Sequence, residues 1–93
     1  MYKIIEDRKK KMPKDSYVAS LFKKGKDKII QKVGEESTEV ILAAKNQNKR
    51  ETVAEIADLI FHTMVLMVAC KISWTEIFDE LEKRRIFGSK KQD

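Results

Sequence analysis

Residues 28–62 read KIIQKVGEESTEVILAAKNQNKRETVAEIADLIFH, and this stretch decides the fold. It holds two acidic clusters, Glu35-Glu36-x-x-Glu39 and, after fifteen intervening residues, Glu55-x-x-Asp58, each set in a strongly apolar helical pattern. At about 3.6 residues per turn, side chains three or four apart stand one above the other, so each cluster places two carboxylates on one helix face. If the two helices pack antiparallel, four carboxylates converge. Oxygen clusters of that kind suit Mg²⁺, which is held by a few carboxylates together with substrate phosphates. The stretch therefore points to a Mg²⁺-dependent enzyme acting on a polyphosphate.

Working outward, the helix wheel fixes which side of each segment is charged. A third helix is expected over about Lys28–Asn46, capped by Asp27, with Ile29, Ile30, Val33, Ser37, Val40, Ile41 and Ala44 as its core face. Glu36 lies at the edge of that face, and Lys32, Glu39, Lys28 and Glu35 continue round the same flank. Lys28 and Lys32 thus share one band with three carboxylates, which suits them to bind the phosphates that the metal also holds. Gly34 weakens the helix interior by about 1 kcal/mol relative to Ala, so a ligand or a partner backbone is expected near it.

The turn Asn46–Asn48 leads into a fourth helix over about Arg50–Lys71. Its core stripe is expected to be Val53, Ile56, Ala57, Ile60, Met64 and Met67, with Glu55, Asp58 and His62 roughly opposite. Buried ionised carboxylates cost several kcal/mol without a cation or base, so Glu55 and Asp58 need a partner. His62, one turn after Asp58, is a candidate substrate contact or a hydrogen-bonded structural residue. A helix apolar on most of its circumference is covered on both sides. A short chain has little left for the second side, so a homo-oligomer, at least a dimer, is expected.

Earlier segments are punctuated clearly. Tyr2–Lys11 reads as a helix ended by Met12 and Pro13, and Tyr17–Lys24 as a second, capped by Asp15 or Ser16 and stopped by Gly25. Ser73-Trp74-Thr75-Glu76 has the form of a capping box and opens a fifth helix through Ile77, Phe78, Leu81 and Ile86, closing near Gly88. Trp74 and Phe78 read as packing residues, Cys70 as a small core hydrophobe, and residues 89–93 as a frayed tail.

Composition agrees. Ninety-three residues make a single domain, 42% hydrophobic content excludes disorder, and three Gly with one Pro are too few for a turn-rich β fold. The expected class is all-α, a bundle of about five helices whose two long antiparallel members carry the acidic site. Twenty Lys and Arg against fifteen Asp and Glu give +5, which favours an anionic partner. One cysteine permits no internal disulfide, zinc finger or Cys-x-x-Cys motif. The first fifteen residues lack a secretory apolar region, and within Val53–Cys70 only Met64–Cys70 is free of polar residues, too short for a bilayer. The single cysteine fits a reducing cytosol, so a cytoplasmic protein is expected, and composition leaves nucleic acid, nucleotide and anionic membrane all open as the anionic partner.

The combination Ser16-Tyr17-Val-Ala-Ser-Leu21, Gly25, Asp27-Lys28-Ile29, Lys32-Val33-Gly34-Glu35-Glu36-x-x-Glu39-Val40 and Glu55-x-Ala57-Asp58-Leu59-x-x-His62 resembles the phosphoribosyl-ATP pyrophosphohydrolase family of histidine biosynthesis. The acidic pattern alone is that of the broader all-α nucleoside triphosphate pyrophosphohydrolase superfamily. The segment from Ser16 to Glu36 narrows it. The resemblance implies hydrolysis of phosphoribosyl-ATP to phosphoribosyl-AMP and pyrophosphate, with Mg²⁺ on Glu36, Glu39, Glu55 and Asp58. It narrows the anionic partner to a nucleotide, with no nucleic-acid or membrane partner expected. Glu35 and Glu36 are the candidate catalytic carboxylates, and Lys28, Lys32 and His62 the candidate substrate contacts. Some relatives are fused to a cyclohydrolase that needs metal-binding cysteines; this chain is expected to perform only the pyrophosphate-releasing step. One departure is Ser37, where alanine is common. Two alternatives are a housekeeping nucleoside triphosphate pyrophosphohydrolase and a basic helical module for nucleic acid or protein, the latter disfavoured because bare carboxylates repel phosphates.

Overall fold

The computed structural model describes residues 1–87, so the expected stop at Gly88 and the tail after it lie outside the described residues. Among these residues there are five helices and no strand: α1 Tyr2–Lys11, α2 Tyr17–Lys24, α3 Lys26–Lys45, α4 Lys49–Cys70 and α5 Trp74–Phe87. The chain is all-α, as the sparse Gly and Pro implied.

Local chemistry sets the boundaries. Met12 closes α1 in the left-handed conformation at φ 51°, its N–H donating to the Arg8 carbonyl, and Pro13 follows. The Ser16 hydroxyl caps α2 by accepting from the Ala19 N–H at 3.0 Å. Gly25, at φ +103°, is both the end of α2 and the cap of α3, a conformation that glycine adopts without a Cβ penalty. This corrects the assignment of the α3 cap to Asp27, which sits instead in the first turn, where a negative charge complements the helix dipole. Asn48 caps α4 by accepting from the Glu51 N–H. The capping box of α5 is complete: Glu76 accepts from the Ser73 N–H at 2.8 Å and Ser73 Oγ accepts from the Glu76 N–H at 3.2 Å.

The three-residue turn at Asn46–Asn48 folds α3 and α4 into a long antiparallel hairpin, about 30 Å along each arm at about 1.5 Å per residue. Helices α1 and α2 pack on each other and on the open end of that hairpin. The core sits at this end and is built from Ile5, Leu21, Ile29, Met64, Val65, Met67 and Val68. Tyr2 ties the N-terminus to it, its hydroxyl donating to the Ile72 carbonyl at 2.7 Å.

The turn end of the hairpin is bare, and here two expected faces are corrected. In α3, Ile29 is buried and Val33, Ser37 and Val40 are half-buried, but Ile30, Ile41 and Ala44 are exposed and Ala43 is buried in their place. In α4 the expected stripe holds only at Met64 and Met67; Val53, Ile56, Ala57 and Ile60 face outward, with Val53 62% exposed. The side bearing Glu55, Leu59 and His62 turns inward instead. The reason is rotational: α4 is apolar on two opposite sides, so periodicity supplies no phase, and packing in the folded chain buries the side of Leu59, His62 and Val65. Cys70 is exposed, not a core hydrophobe. Trp74 and Phe78 stack on each other at 5.6 Å between centroids, leaving Phe78 exposed.

By length and composition, α4 is long and apolar enough to cross a bilayer, contrary to the argument from its polar interruptions. Its C-terminal half supplies four of the seven central core side chains. The Cα radius of gyration, 15.2 Å, exceeds the roughly 12 Å of a compact chain this long. The protruding hairpin and α5, which packs little on the other helices, both contribute to the excess.

Candidate metal centre

Near the middle of the hairpin, α3 and α4 bring Glu36, Glu55 and Asp58 together, with one carboxylate oxygen from each within 4.8 Å of the others. Helical spacing positions them: Glu55 and Asp58 stand one turn apart on α4, and Glu36 faces them from α3. Glu36 and Glu55 are half-buried and Asp58 is exposed. Glu39 stays outside this convergent trio, yet its charge reaches Glu55. Partial burial first, then the charges of Glu39, Asp58, Glu36 and Glu51, push the Glu55 pKa up. Negative charge crowded in this way calls for a cation, and three hard oxygen donors suit a divalent one.

Lysine supplies only part of the balance. Lys32 Nζ lies 3.3 Å from Glu35 and 3.7 Å from Glu36. Partial burial lowers the Lys32 pKa, but the Glu35 hydrogen bond, the nearby Tyr17 phenol and the charges of Glu35 and Glu36 outweigh it, and the ammonium titrates above its ordinary value. Lys32 is therefore a permanent cation beside the carboxylates. Glu35 is exposed and held below the usual carboxylate range by hydrogen bonds from Gln31 and Lys32, with Lys28 adding its charge. The charged band expected on one flank of α3 is thus present, running from Lys28 through Lys32 to Glu35 and Glu36.

His62 occupies a different kind of place. It is 5% exposed, and both ring nitrogens are engaged within the chain. Nδ1 lies 2.8 Å from the Asp58 carbonyl oxygen, which can only accept, so Nδ1 carries the proton. In the neutral ring Nε2 then accepts from the Tyr17 hydroxyl at 2.9 Å. Tyr17 is the residue that sequence reasoning passed over. The available signal was a histidine in an apolar helix, which requires a hydrogen-bond partner, alongside a tyrosine in the Ser16–Leu21 motif. A cleft of about 950 Å³ between α1 and the end of α4 is lined by Tyr2, Lys3, Glu6, Val68, Lys71 and others. It is about 20 Å along α4 from Glu55 and apart from the carboxylates.

Fold and site together define an all-α protein whose helical hairpin carries a carboxylate centre suited to a divalent cation, flanked by a fixed ammonium. Comparison with known proteins gives the family. The sequence model described as phosphoribosyl-ATP pyrophosphohydrolase matches residues 1–85. A phosphoribosyl-ATP pyrophosphatase of Clostridium botulinum is 56% identical over 85 residues, covering 91% of this chain and 77% of that protein. One of Clostridium novyi is 50% identical over 94 aligned positions, covering all of this chain and 86% of its own. One of Leptospira biflexa is 56% identical over 81 residues, covering 87% and 88%. The chain belongs to the phosphoribosyl-ATP pyrophosphohydrolase family.

Proposed function

We propose that this chain hydrolyses phosphoribosyl-ATP to phosphoribosyl-AMP and pyrophosphate, the second step of histidine biosynthesis, using Mg²⁺. The observation that carries the reading is the convergence of Glu36, Glu55 and Asp58 across two helices in a member of this family. These three are the proposed ligands, with Glu39 a fourth from the next turn of α3. Bound there, Mg²⁺ would neutralise polyphosphate charge, orient the chain of phosphates and lower the pKa of water.

The protein's own groups do the rest. Lys32, kept cationic by its neighbours, offers a point charge to a phosphate oxygen, and Lys28 extends that band along α3. Developing charge is thereby met by groups already in place, the main requirement of phosphoryl-transfer catalysis. Glu35 and Glu36 are the candidate acceptors for the proton of the attacking water. Glu35 is held ionised by Gln31 and Lys32 and lies outside the three proposed ligands, whereas Glu36 would have to give up the cation to take a proton. His62, with both nitrogens occupied, acts on the substrate through its neighbours.

A second copy of the chain is the proposed cover for the bare end of the hairpin. Ile41, Leu42, Val53, Ile56 and Ile60 are all exposed there, with Ile30 nearer the core. A Cβ added at Gly34 would meet nothing within 4 Å of its own chain, which leaves room for an approaching backbone. The working protein is then a homo-oligomer, at least a dimer, of a single-domain chain in the cytoplasm, acting on a nucleotide and on neither nucleic acid nor membrane. A substrate panel tests the assignment: phosphoribosyl-ATP is turned over in preference to dCTP, dUTP and ITP, and the reverse order would transfer the chain to a housekeeping role.

A further inference from the structure

Tyr17 combines two properties that rarely coincide in a purely structural side chain: its ring is held from several directions, and it is 49% exposed. One constraint is the hydroxyl, fixed on His62 Nε2 at 2.9 Å. Another is Phe61, whose ring lies 6.2 Å from that of Tyr17 at an interplanar angle of 25°. A third is the edge of His62, at 5.8 Å and 83°. Phe61 itself meets His62 edge-on at 5.0 Å, so the three rings brace one another. The helix beneath is pinned too, because Ser16 caps α2 one residue earlier. An aromatic surface held this firmly has lost its rotational entropy before any ligand arrives, which favours binding to it.

Its location gives the surface a use. Tyr17 neighbours Lys32, whose Nζ is 3.7 Å from Glu36 of the carboxylate trio. His62 bonds the backbone of Asp58, another of the three. The ring therefore stands at the edge of the phosphate and metal centre, on the side of Lys32. The other stacked aromatic pair, half-buried Trp74 with exposed Phe78, lies beyond the C-terminus of α4, about 18 Å along the helix from Asp58.

We propose that the exposed face of Tyr17 is the platform on which the purine base of the nucleotide stacks, with His62 and Phe61 as the positioning residues that hold it flat. This deepens the nucleotide reading above and rests on it. Stacking on an aromatic ring needs only the π-face of the base. The hydroxyl serves orientation, so the ring and the hydroxyl have separable effects.

Calorimetric titration of the wild-type chain, Tyr17→Phe and Tyr17→Leu with ATP and with inorganic tripolyphosphate, all with Mg²⁺, separates them. Tyr17→Leu is expected to weaken ATP by about fivefold to a hundredfold, the range of one base–aromatic stack, while tripolyphosphate binding stays unchanged. Tyr17→Phe, which keeps the ring, retains most of the ATP affinity. Equal losses for both ligands in Tyr17→Leu would show a collapsed site instead of a lost platform and overturn the proposal. So would an unaltered ATP affinity in Tyr17→Leu, or a loss in Tyr17→Phe as large as in Tyr17→Leu. Selective loss of ATP in a chain that does not hydrolyse phosphoribosyl-ATP would uphold the platform and remove the substrate assignment.

Discussion

Replacing Lys32 by alanine separates two roles that the structure gives this residue. As an ion-pair partner it sits 3.3 Å from Glu35 and 3.7 Å from Glu36 on one helix, with its side chain about a quarter exposed. Pairs of that kind contribute about 0.2–1 kcal/mol each. The fold therefore loses little, and for a chain of this length a loss of 1 kcal/mol lowers Tm by about 4–8 °C. As a phosphate contact it makes a charge-assisted hydrogen bond worth about 1.5–3 kcal/mol. At about 1.4 kcal/mol per decade, that raises KM by roughly ten- to a hundredfold. Binding thus suffers far more than stability. A further sign is specific to this geometry: with Lys32 gone, Glu36 has lost its protein cation, so half-saturation by Mg²⁺ moves to lower concentration. Steady-state kinetics on phosphoribosyl-ATP at several Mg²⁺ concentrations, beside a melting curve, reads all three quantities. An unchanged KM in a folded Lys32→Ala protein would refute the phosphate role.

Other perturbations test the neighbouring parts. Asp58→Asn and Glu39→Gln are expected to reduce turnover at least a hundredfold with the helical circular-dichroism signal intact; near-normal rates at ordinary Mg²⁺ would remove either residue from the metal set. The raised Glu55 pKa predicts a pH dependence of sign opposite to that of a paired carboxylate. The folded state binds this proton more tightly than the unfolded one, so the metal-free protein loses that contribution as pH rises through the Glu55 range. Mg²⁺, which must displace the proton, then raises Tm more at pH 7.5 than at pH 5, and an equal rise at both would contradict the crowding argument. Ile56→Glu places a charge on the bare face of α4 and is expected to convert the oligomer to a monomer in sedimentation or light scattering, whereas a monomeric wild-type chain would dispose of the proposed second copy.

Much of this was legible because the chain punctuates itself. Pro13, Ser16, Gly25 and the Ser73–Glu76 box fix ends by local chemistry, and the observed α1 and α2 have the expected bounds. Three of the four expected carboxylates, Glu36, Glu55 and Asp58, meet because i,i+3 spacing stacks Glu55 and Asp58 on one face of α4, but the same spacing does not bring Glu39 into the group. What failed was rotation. With Ile56 and Ile60 on one side of α4 and Leu59 and Leu66 on another, hydrophobic periodicity could not tell which side met α3. The choice is made in tertiary packing, which turns Leu59, His62 and Val65 inward. The part played by Tyr17 was missed for a different reason: its contact with His62 spans 45 residues, and no periodic signal at the start of an eight-residue helix records a bond to another element.

These lines meet in the carboxylate centre, and the most direct test is pyrophosphate release from phosphoribosyl-ATP with Mg²⁺ present, removed by chelation and restored, in the wild-type chain and in Asp58→Asn. The account predicts release that stops on chelation, resumes on restoring Mg²⁺ and is lost in the variant. Release that continues without a divalent cation, or that survives in Asp58→Asn, would contradict it.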